Sequence, residues 1–331
     1  MITIKEALTK KEMKDYVMFS FELYKNNPYW IPPIIAEELE TFDKTKNPAL
    51  KTAEAHFYLA YKDNKIVGKI AAIINWEEVN LLEKRKVRFG WFDVIDDVEV
   101  TKVLLNKVEE LGRKHNMDHM EGPMGFSNLD KVGILSEGFD QMGNMITWYS
   151  LPYYITHFEQ LGFTKEKEYI ESDFSFNNIN PEPFQKASAL IKKRYELRSL
   201  NFTKTKDIMP YVDKMFDLFN ETYARLQSFV PINDIQKEYF KKKYIGFINP
   251  EFIKFIVDKN DNMIAFAIVM PGFAQALKKA NGKLFPFGFY HLLQARKHSK
   301  EVVFYLIGIK SEYKSKGVTA KRLNQLLVEK R

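Results

Sequence analysis

The segment that follows the apolar run Val302–Ile309 carries the clearest chemical signal in the sequence. It reads Ile307-Gly-Ile-Lys-Ser-Glu-Tyr-Lys-Ser-Lys-Gly-Val-Thr319, and leucines at helical spacing come after it. A strand that ends in a short turn of small residues and enters a helix directs the free N–H groups of that helix into one concavity. The helix dipole and the surrounding lysines favour an anion there. The segment therefore predicts a phosphate or pyrophosphate site.

This segment resembles the acyl-coenzyme A pyrophosphate loop of the GNAT superfamily of N-acetyltransferases. The family pattern is a strand, then Arg or Gln, two residues, Gly, one residue, and Gly or Ala before a helix. Lys314, Gly317 and Thr319 occupy these places. The resemblance implies that acetyl-CoA or another acyl-CoA binds as cosubstrate. The residues expected to hold it lie at the strand end and in the loop: Ile307, Ile309, Lys314, Ser315, Lys316, Gly317, Val318 and Thr319.

Other stretches resemble a bacterial group of tandem GNAT-like proteins. They are Trp30-Ile-Pro-Pro33, Phe42-Asp-Lys-Thr-Lys-Asn-Pro48 and Gly122-Pro123. In addition, Pro152–Phe163 is similar to a later helix of the family. The resemblance implies an α/β fold of the α+β type, with two GNAT-like domains in tandem. Each domain is expected to be a mixed, mostly antiparallel sheet flanked by helices.

An amine that attacks a thioester needs a base to take its proton. The strand Val302–Ile309 carries no carboxylate, which excludes a carboxylate base on this strand. Glu221 and Tyr223 lie on the helix before the second predicted hairpin and are the candidate catalytic residues, although a solvated helix face also explains Glu221. The general base is left open.

Metal and thiol chemistry are not expected. His115 and His119 are four residues apart, but Asn116–Asp118 between them predicts a turn, and no third ligand is evident, so we predict no metal site. The chain has no cysteine. This excludes disulfide scaffolds, thiolate zinc sites and cysteine nucleophiles.

The order of the predicted elements repeats along the chain. Alternating and continuous apolar runs predict one hairpin over 55–75 and another over 252–269, and each is followed by a buried strand, Arg88–Ile95 and Val302–Ile309. Each half runs helix, helix, hairpin, strand, helix, which indicates an internal duplication of a unit of about 150 residues. Phe163–Phe176 is predicted to supply the last strands of the first half.

The polar, proline-containing segment 177–183 is the predicted linker between two domains. Residues 1–176 are expected to form a GNAT-like domain without a phosphate loop, because Asp93–Thr101 at the corresponding place has four acids and no glycine. Residues 184–331 are expected to form a GNAT-like domain with the acyl-CoA loop. Because the sequence ends at Arg331, we expect this domain to lack the family's last strand and helix.

Charge differs between the two halves. Residues 1–175 contain 22 Lys and Arg against 29 Asp and Glu, whereas residues 176–331 contain 28 against 14. The asymmetry fits two units, and the basic one either meets an anion or attracts the acidic one. The sequence starts without a signal-peptide pattern and has no uninterrupted apolar stretch of about 20 residues. We therefore expect a cytoplasmic protein without a membrane partner.

The sequence predicts an acyl-CoA-dependent N-acyltransferase that transfers an acetyl group to the amine of a small molecule or peptide. Two alternatives stay open. One is a catalytically degenerate GNAT-fold binding protein, and the other is a Fem-type aminoacyltransferase, which also pairs two GNAT-like units and would use charged transfer RNA. Nucleic acid is otherwise not expected as a partner, because the clusters Lys192–Arg194 and Lys241–Lys243 fit solvated helix faces.

Overall fold

A computed structural model describes residues 1–314 except 128, 176, 178, 179, 227, 246 and 247. The chain divides into two compact units. The first consists of residues 1–166 and 272–299, and the second consists of residues 167–271 and the chain from 300 onward. Each unit is built around a sheet of its own.

Two sets of strands form the two sheets. The strands are β1 (Ile2–Glu6), β2 (Ala53–Lys62), β3 (Lys65–Asn75), β4 (Lys86–Val94), β5 (His119–Glu121), β6 (Arg198–Leu200), β7 (Ile253–Val257), β8 (Met263–Pro271) and β9 (Val302–Ile309). The first sheet has the order β1-β2-β3-β4-β5, with β5 parallel to β4 and the other pairs antiparallel. The second has the order β6-β7-β8-β9 and is antiparallel throughout its described part. Both predicted hairpins are present as β2–β3 and β7–β8.

Helices flank both sheets. They are α1 (Lys10–Leu23), α2 (Ile35–Thr41), α3 (Trp76–Leu82), α4 (Val98–Lys114), α5 (Tyr153–Gln160), α6 (Glu182–Arg194), α7 (Thr205–Tyr223), α8 (Asp234–Phe240), α9 (Ala274–Ala280), α10 (Gly288–His298) and the short α11 (Ser311–Lys314). Side-chain caps set several of their starts. At α1, the Glu12 N–H donates to Thr9 Oγ1 at 3.2 Å, and the Thr9 N–H donates to Glu12 Oε2 at 2.9 Å, which is a capping box.

The central strand β3 separates two apolar cores in the first unit. Ile70, Ala72 and Ile74 pack on the side of α4 and α5. Ala71 and Ile73 pack on the side of α1. Because successive side chains of a strand point to opposite faces, a strand covered on both faces has to be apolar at nearly every position. This explains why β3 is a continuous apolar run in the sequence.

The second unit repeats the topology of the first. Four consecutive antiparallel strands, β6 to β9, correspond to β1 to β4, and α7 and α8 lie between the first two strands as α1 and α2 do. The predicted fold class is therefore confirmed, because both sheets are mostly antiparallel and flanked by helices. The repetition also matches the internal duplication that the order of the predicted elements indicates.

A helical hairpin, α9 and α10, is inserted between β8 and β9 in the chain but packs in the first unit. The predicted boundaries place it in residues 184–331 and do not anticipate this exchange. Its turn is fixed to α2, because the Ile35 N–H donates to the Gly282 carbonyl at 2.9 Å. A Cβ atom at Gly282 would lie 2.6 Å from the ring of Phe21, so the close approach requires glycine.

We expect Gly282→Ala to lower the free energy of unfolding more than Gly162→Ala does. Both glycines have positive φ, +78° and +80°, so alanine costs about 1 kcal/mol of backbone strain at either position. Only at Gly282 does the new methyl group also overlap Phe21 and Ile35, which adds about 1–3 kcal/mol. Denaturant unfolding of both variants measures the difference. Equal losses would contradict the docking of the hairpin turn.

The prediction of strands over Phe163–Phe176 is wrong for its described positions. Residues 163–175 form neither helix nor strand. Lysines and acidic residues alternate along this stretch, and its apolar residues Tyr169 and Ile170 are exposed. Neither face of a strand formed here could be buried, and a half-buried strand depends on one apolar face.

Candidate functional site

The end of β9 is the first of the two places where the sequence predicts chemistry. The backbone of Ile307 points away from β8, because its N–H donates to Tyr223 Oη at 3.3 Å and its carbonyl accepts from the same hydroxyl at 3.1 Å. Ile309 lies two residues further on, and the Lys310 N–H donates back to β8 at the Ile264 carbonyl, at 2.9 Å. In an antiparallel pair, alternate residues direct their N–H and carbonyl to the same edge. The backbone groups of Ile309 therefore point to the same outer edge as those of Ile307.

β9 is the last strand of the second sheet among the described residues. Its outer edge is therefore not paired with another described strand. The side chain of Ile307 is 41% exposed at this edge, whereas Ile309 is buried. An unpaired strand edge presents N–H and carbonyl groups that a second extended chain can use.

The two candidate catalytic residues lie close together on α7 but differ in their surroundings. The Tyr223 hydroxyl lies at the outer edge of β9, and its ring stacks on Phe219 at 4.3 Å between centroids. Glu221 is exposed to solvent. The structure thus places the Tyr223 hydroxyl against Ile307, one of the predicted donor-site residues, and leaves the Glu221 side chain in solvent.

Only part of the predicted phosphate loop falls in the described chain. Lys310 follows β9, and Lys314 ends the short helix α11 with its side chain exposed. Ser315, Lys316, Gly317, Val318 and Thr319 lie outside the described residues. The assignment of the loop to an acyl-CoA stays a prediction.

The corresponding strand end of the first unit is closed by tyrosines. The Val94 N–H donates to Tyr154 Oη at 3.0 Å, and the Val94 carbonyl accepts from Tyr153 Oη at 2.6 Å. Both tyrosines lie on α5. In addition, Asp97 caps the helix that follows, with Oδ1 accepting from the Glu99 N–H at 3.1 Å. The Asp97 carboxylate therefore lies at the positive end of the helix dipole. That the first unit binds no phosphate stays a prediction.

A buried ion pair that the sequence did not predict lies near this closed strand end. Lys69 Nζ is 3.4 Å from Asp93 Oδ2, and both side chains are largely buried. Asp93 also accepts from Ser20 Oγ at 2.6 Å and from the hydroxyls of Tyr24 and Tyr154 at 2.9 and 3.3 Å. The one available signal was a single lysine in the apolar run of β3. Its carboxylate partner is 24 positions away and cannot be read from spacing.

The ion pair lines a cavity of about 60 Å³ in the first unit. This is far below the roughly 300–1,000 Å³ of a drug-sized ligand site. Aromatic rings form much of its wall, including Trp30, Trp91 and Trp148. Lys131 lies on the opposite wall, and burial lowers its pKa although Glu38 and Asp93 attract the charge. With its lone pairs engaged by three hydroxyls and an ammonium, Asp93 acts as a structural anchor between α1, β3 and β4.

The two histidines considered as metal ligands do not converge. His115 contacts Glu54, with Nε2 3.1 Å from Oε2, while His119 lies exposed on β5. Among the residues that the structure describes, no group of three His, Asp or Glu side chains could hold a metal ion. No helix in the same part of the chain has the length and apolar content to cross a bilayer.

No family model matches the sequence. Two curated proteins match along most of the chain. Protein YghO of Escherichia coli is 26% identical over 313 residues, which cover 94% of this chain and 79% of YghO. The bacterial ceramide synthase of Caulobacter vibrioides is 24% identical over 312 residues, which cover 93% of this chain and 80% of that enzyme.

The chain also aligns with proteins of solved structure. The chain resembles the GNAT acetyltransferases. A tandem GNAT protein from the clavulanic acid biosynthesis pathway aligns over 97% of this chain and 94% of its own, with a TM-score of 0.47 and 11% identity. A predicted acetyltransferase with acetyl-CoA from Clostridium acetobutylicum aligns with 52% of this chain and 96% of its own, with a TM-score of 0.33 and 12% identity.

Proposed function

We propose that this protein is an acyl-CoA-dependent N-acyltransferase that binds its acyl donor at the outer edge of β9. The observation that supports this most directly is the strand end itself. The backbone of Ile309 points to an edge that no other described strand pairs with, and two lysines, Lys310 and Lys314, follow it. The Tyr223 hydroxyl lies on the same edge.

The chemistry of the donor suits this arrangement. Coenzyme A carries an extended arm with two amide groups, followed by a diphosphate. An extended amide chain can add to a strand edge through main-chain hydrogen bonds. The diphosphate would then reach the turn of Lys314 to Thr319, where lysines and backbone N–H groups favour negative charge. In the first unit, tyrosine hydroxyls bond the backbone of Val94 at the corresponding strand end. On β9 the Tyr223 hydroxyl bonds Ile307, two residues before Ile309, so we assign the donor to the backbone of Ile309 in the second unit.

The reaction we propose forms one bond and breaks another. The nitrogen of the acceptor amine attacks the thioester carbonyl carbon, the C–N bond forms, and the C–S bond breaks. The amine proton passes to a base, and the coenzyme leaves as a thiol after its sulfur gains a proton. Of the two candidate residues, we assign Tyr223 to the protonation of the sulfur, because its hydroxyl lies at the strand edge.

One curated relative is consistent with acyl transfer to nitrogen. A ceramide is the amide of a fatty acid and a long-chain amino alcohol, and the Caulobacter protein is named a ceramide synthase. This similarity favours an amine acceptor for the present chain, and it leaves the acyl chain length open between acetyl and longer groups.

We expect Lys314→Glu to weaken acyl-CoA binding by about tenfold or more, because a charge-assisted contact to phosphate becomes a repulsion. Lys300→Glu is the matched control, since it makes the same charge change at an exposed position two residues before the other end of β9. Isothermal titration with acetyl-CoA and octanoyl-CoA gives the affinities. No binding by the unaltered protein at millimolar acyl-CoA, or equal losses in both variants, would contradict the proposed donor site.

Turnover can be followed as release of the coenzyme thiol, without interference from thiols of the protein. The chain has no cysteine, so every free thiol released in the assay belongs to the coenzyme. A panel of amines, including a long-chain amino alcohol and an amino sugar, tests the acceptor. Thiol release that depends on the amine supports the transferase. Binding of acyl-CoA without turnover on any amine would favour a binding protein that uses the GNAT fold.

A further inference from the structure

The helical hairpin of α9 and α10 exposes aromatic side chains. Phe285 and Phe287, in the loop before α10, are 76% and 71% exposed. Phe289, Tyr290 and Leu293, on the first two turns of α10, are exposed as well. Single exposed apolar residues are ordinary on protein surfaces, but a cluster of this size on one hairpin marks an interaction surface.

The charged residues of the hairpin are all basic. Residues 272–299 contain five Lys and Arg and no Asp or Glu. Lys279, Lys283 and Lys297 are exposed. The rest of the first unit is different, because acidic residues outnumber basic ones over residues 1–175. The hairpin is thus a basic, aromatic insertion in an acidic unit.

The apolar and basic residues share one side of α10. Residues four apart in a helix lie on the same face, so Phe289 and Leu293 form an exposed apolar stripe that continues toward Lys297. The ring of Phe285 lies 5.5 Å from that of Phe289, between centroids, so the loop extends the stripe. We call the exposed residues 283–297 the hairpin tip.

We propose that the hairpin tip docks on the surface of an anionic lipid bilayer. Aromatic rings favour the region between lipid headgroups and acyl chains, and lysines can keep their charge among lipid phosphates while their stems cover apolar surface. A uniformly positive patch is attracted to an anionic leaflet. A protein partner is less suited, because lysine is depleted at protein interfaces.

This surface goes beyond acyl transfer and does not depend on it. It requires only that the hairpin be held in place, and the hydrogen bond from Ile35 to Gly282 fixes the turn of the hairpin on α2. The proposal departs from the sequence-based expectation that the protein has no membrane partner. Lying on a bilayer requires no spanning helix.

Vesicle sedimentation of the full chain tests the proposal. We expect at least tenfold stronger binding to vesicles of 70% phosphatidylcholine and 30% phosphatidylglycerol than to pure phosphatidylcholine at about 0.15 M salt. The double variant Phe285→Ser with Phe287→Ser should bind at least tenfold more weakly to the anionic vesicles. Lys279→Glu with Lys283→Glu should remove the preference for anionic vesicles.

Matched controls exist on the same unit. Leu8→Ser with Leu81→Ser removes two exposed apolar side chains, and Lys10→Glu with Lys44→Glu reverses two exposed lysines, all outside the hairpin. We expect both control variants to bind as the unaltered protein does. Equal losses in the controls and the hairpin variants would overturn the proposal, and so would absence of vesicle binding. Self-association that only the phenylalanine variant abolishes, without vesicle binding, would instead indicate a second copy as the occupant.

Site-specific labelling gives a second measurement that does not rely on loss of binding. Because the chain has no cysteine, Leu293→Cys and Leu81→Cys each accept a single environment-sensitive nitrobenzoxadiazole label. Anionic vesicles should increase and blue-shift the emission of the label at position 293 and leave the label at position 81 unchanged. The reverse pattern, or the same response at both positions, would contradict insertion of the hairpin tip.

Discussion

Glu78→Ala is expected to lower the free energy of unfolding by about 3–5 kcal/mol, because it leaves two cations buried without their shared partner. Glu78 Oε2 accepts from Arg88 Nε at 2.8 Å, and Lys86 Nζ lies 3.0 Å from Glu78 Oε1. The side chains of all three residues are 1–2% exposed. Once the buried carboxylate is gone, it no longer offsets the cost of keeping its two cationic partners out of water. Denaturant unfolding followed by circular dichroism measures the loss.

A surface pair provides the control for this prediction. Glu109 contacts Arg113 at 2.6 Å on α4, and both side chains are well exposed. Glu109→Ala should therefore cost less than about 1 kcal/mol. A similarly small loss for Glu78→Ala would show that the other contacts of these cations, Glu121 for Lys86 and the Gly125 carbonyl for Arg88, are sufficient to hold them.

Stability is expected to fall steeply above pH 10. Burial raises the pKa of Tyr16, Tyr24 and Tyr154 well above the usual 10 of tyrosine, and the neighbouring Asp93 raises each pKa further. In the unfolded chain these hydroxyls lose their protons near pH 10, while in the folded protein they keep them. Stability is fully present below pH 10 and falls as the pH rises toward the folded-state pKa. Three groups give a slope of about 4 kcal/mol per pH unit.

Unfolding at fixed pH values between 9 and 11.5 checks the slope. Tyr16→Phe removes one titrating group at small structural cost, since its hydroxyl makes only a long hydrogen bond, of 3.5 Å, to the Trp91 carbonyl. This variant should reduce the slope by about 1.4 kcal/mol per pH unit, the contribution of one titrating group. Stability independent of pH above 10 would contradict burial of these hydroxyls in the folded state.

Local patterns in the sequence were sufficient for both hairpins and for the buried strands that follow them. The β2–β3 hairpin could be predicted because its strands are apolar and a short polar turn, Lys62–Lys65, lies between them. A helix start in the acidic segment Asp93–Thr101 could also be predicted, and Asp97 caps it there. In these cases the physical cause lies within a few residues of its effect.

Contacts between distant residues could not be predicted in this way. Lys69 and Asp93 meet because β3 and β4 are neighbours, with Lys69 and Asp93 paired in register. The hairpin of α9 and α10 was missed for a related reason. Its partners are Phe21 and Ile35, more than 200 positions earlier, and only the tertiary fold brings them to Gly282. The predicted acyl-CoA residues remain a prediction, since the sequence supplies a motif and not the shape of a pocket.

The exchange of residues 272–299 has a consequence for how such proteins can diversify. The chain enters the second unit, returns to the first for the hairpin, and leaves it again. A recombination event at the polar segment 177–183 would therefore deliver an N-terminal half without the piece that covers Phe21 and Ile35. The first unit therefore depends, for part of its packing, on a segment that the chain supplies only after residue 271.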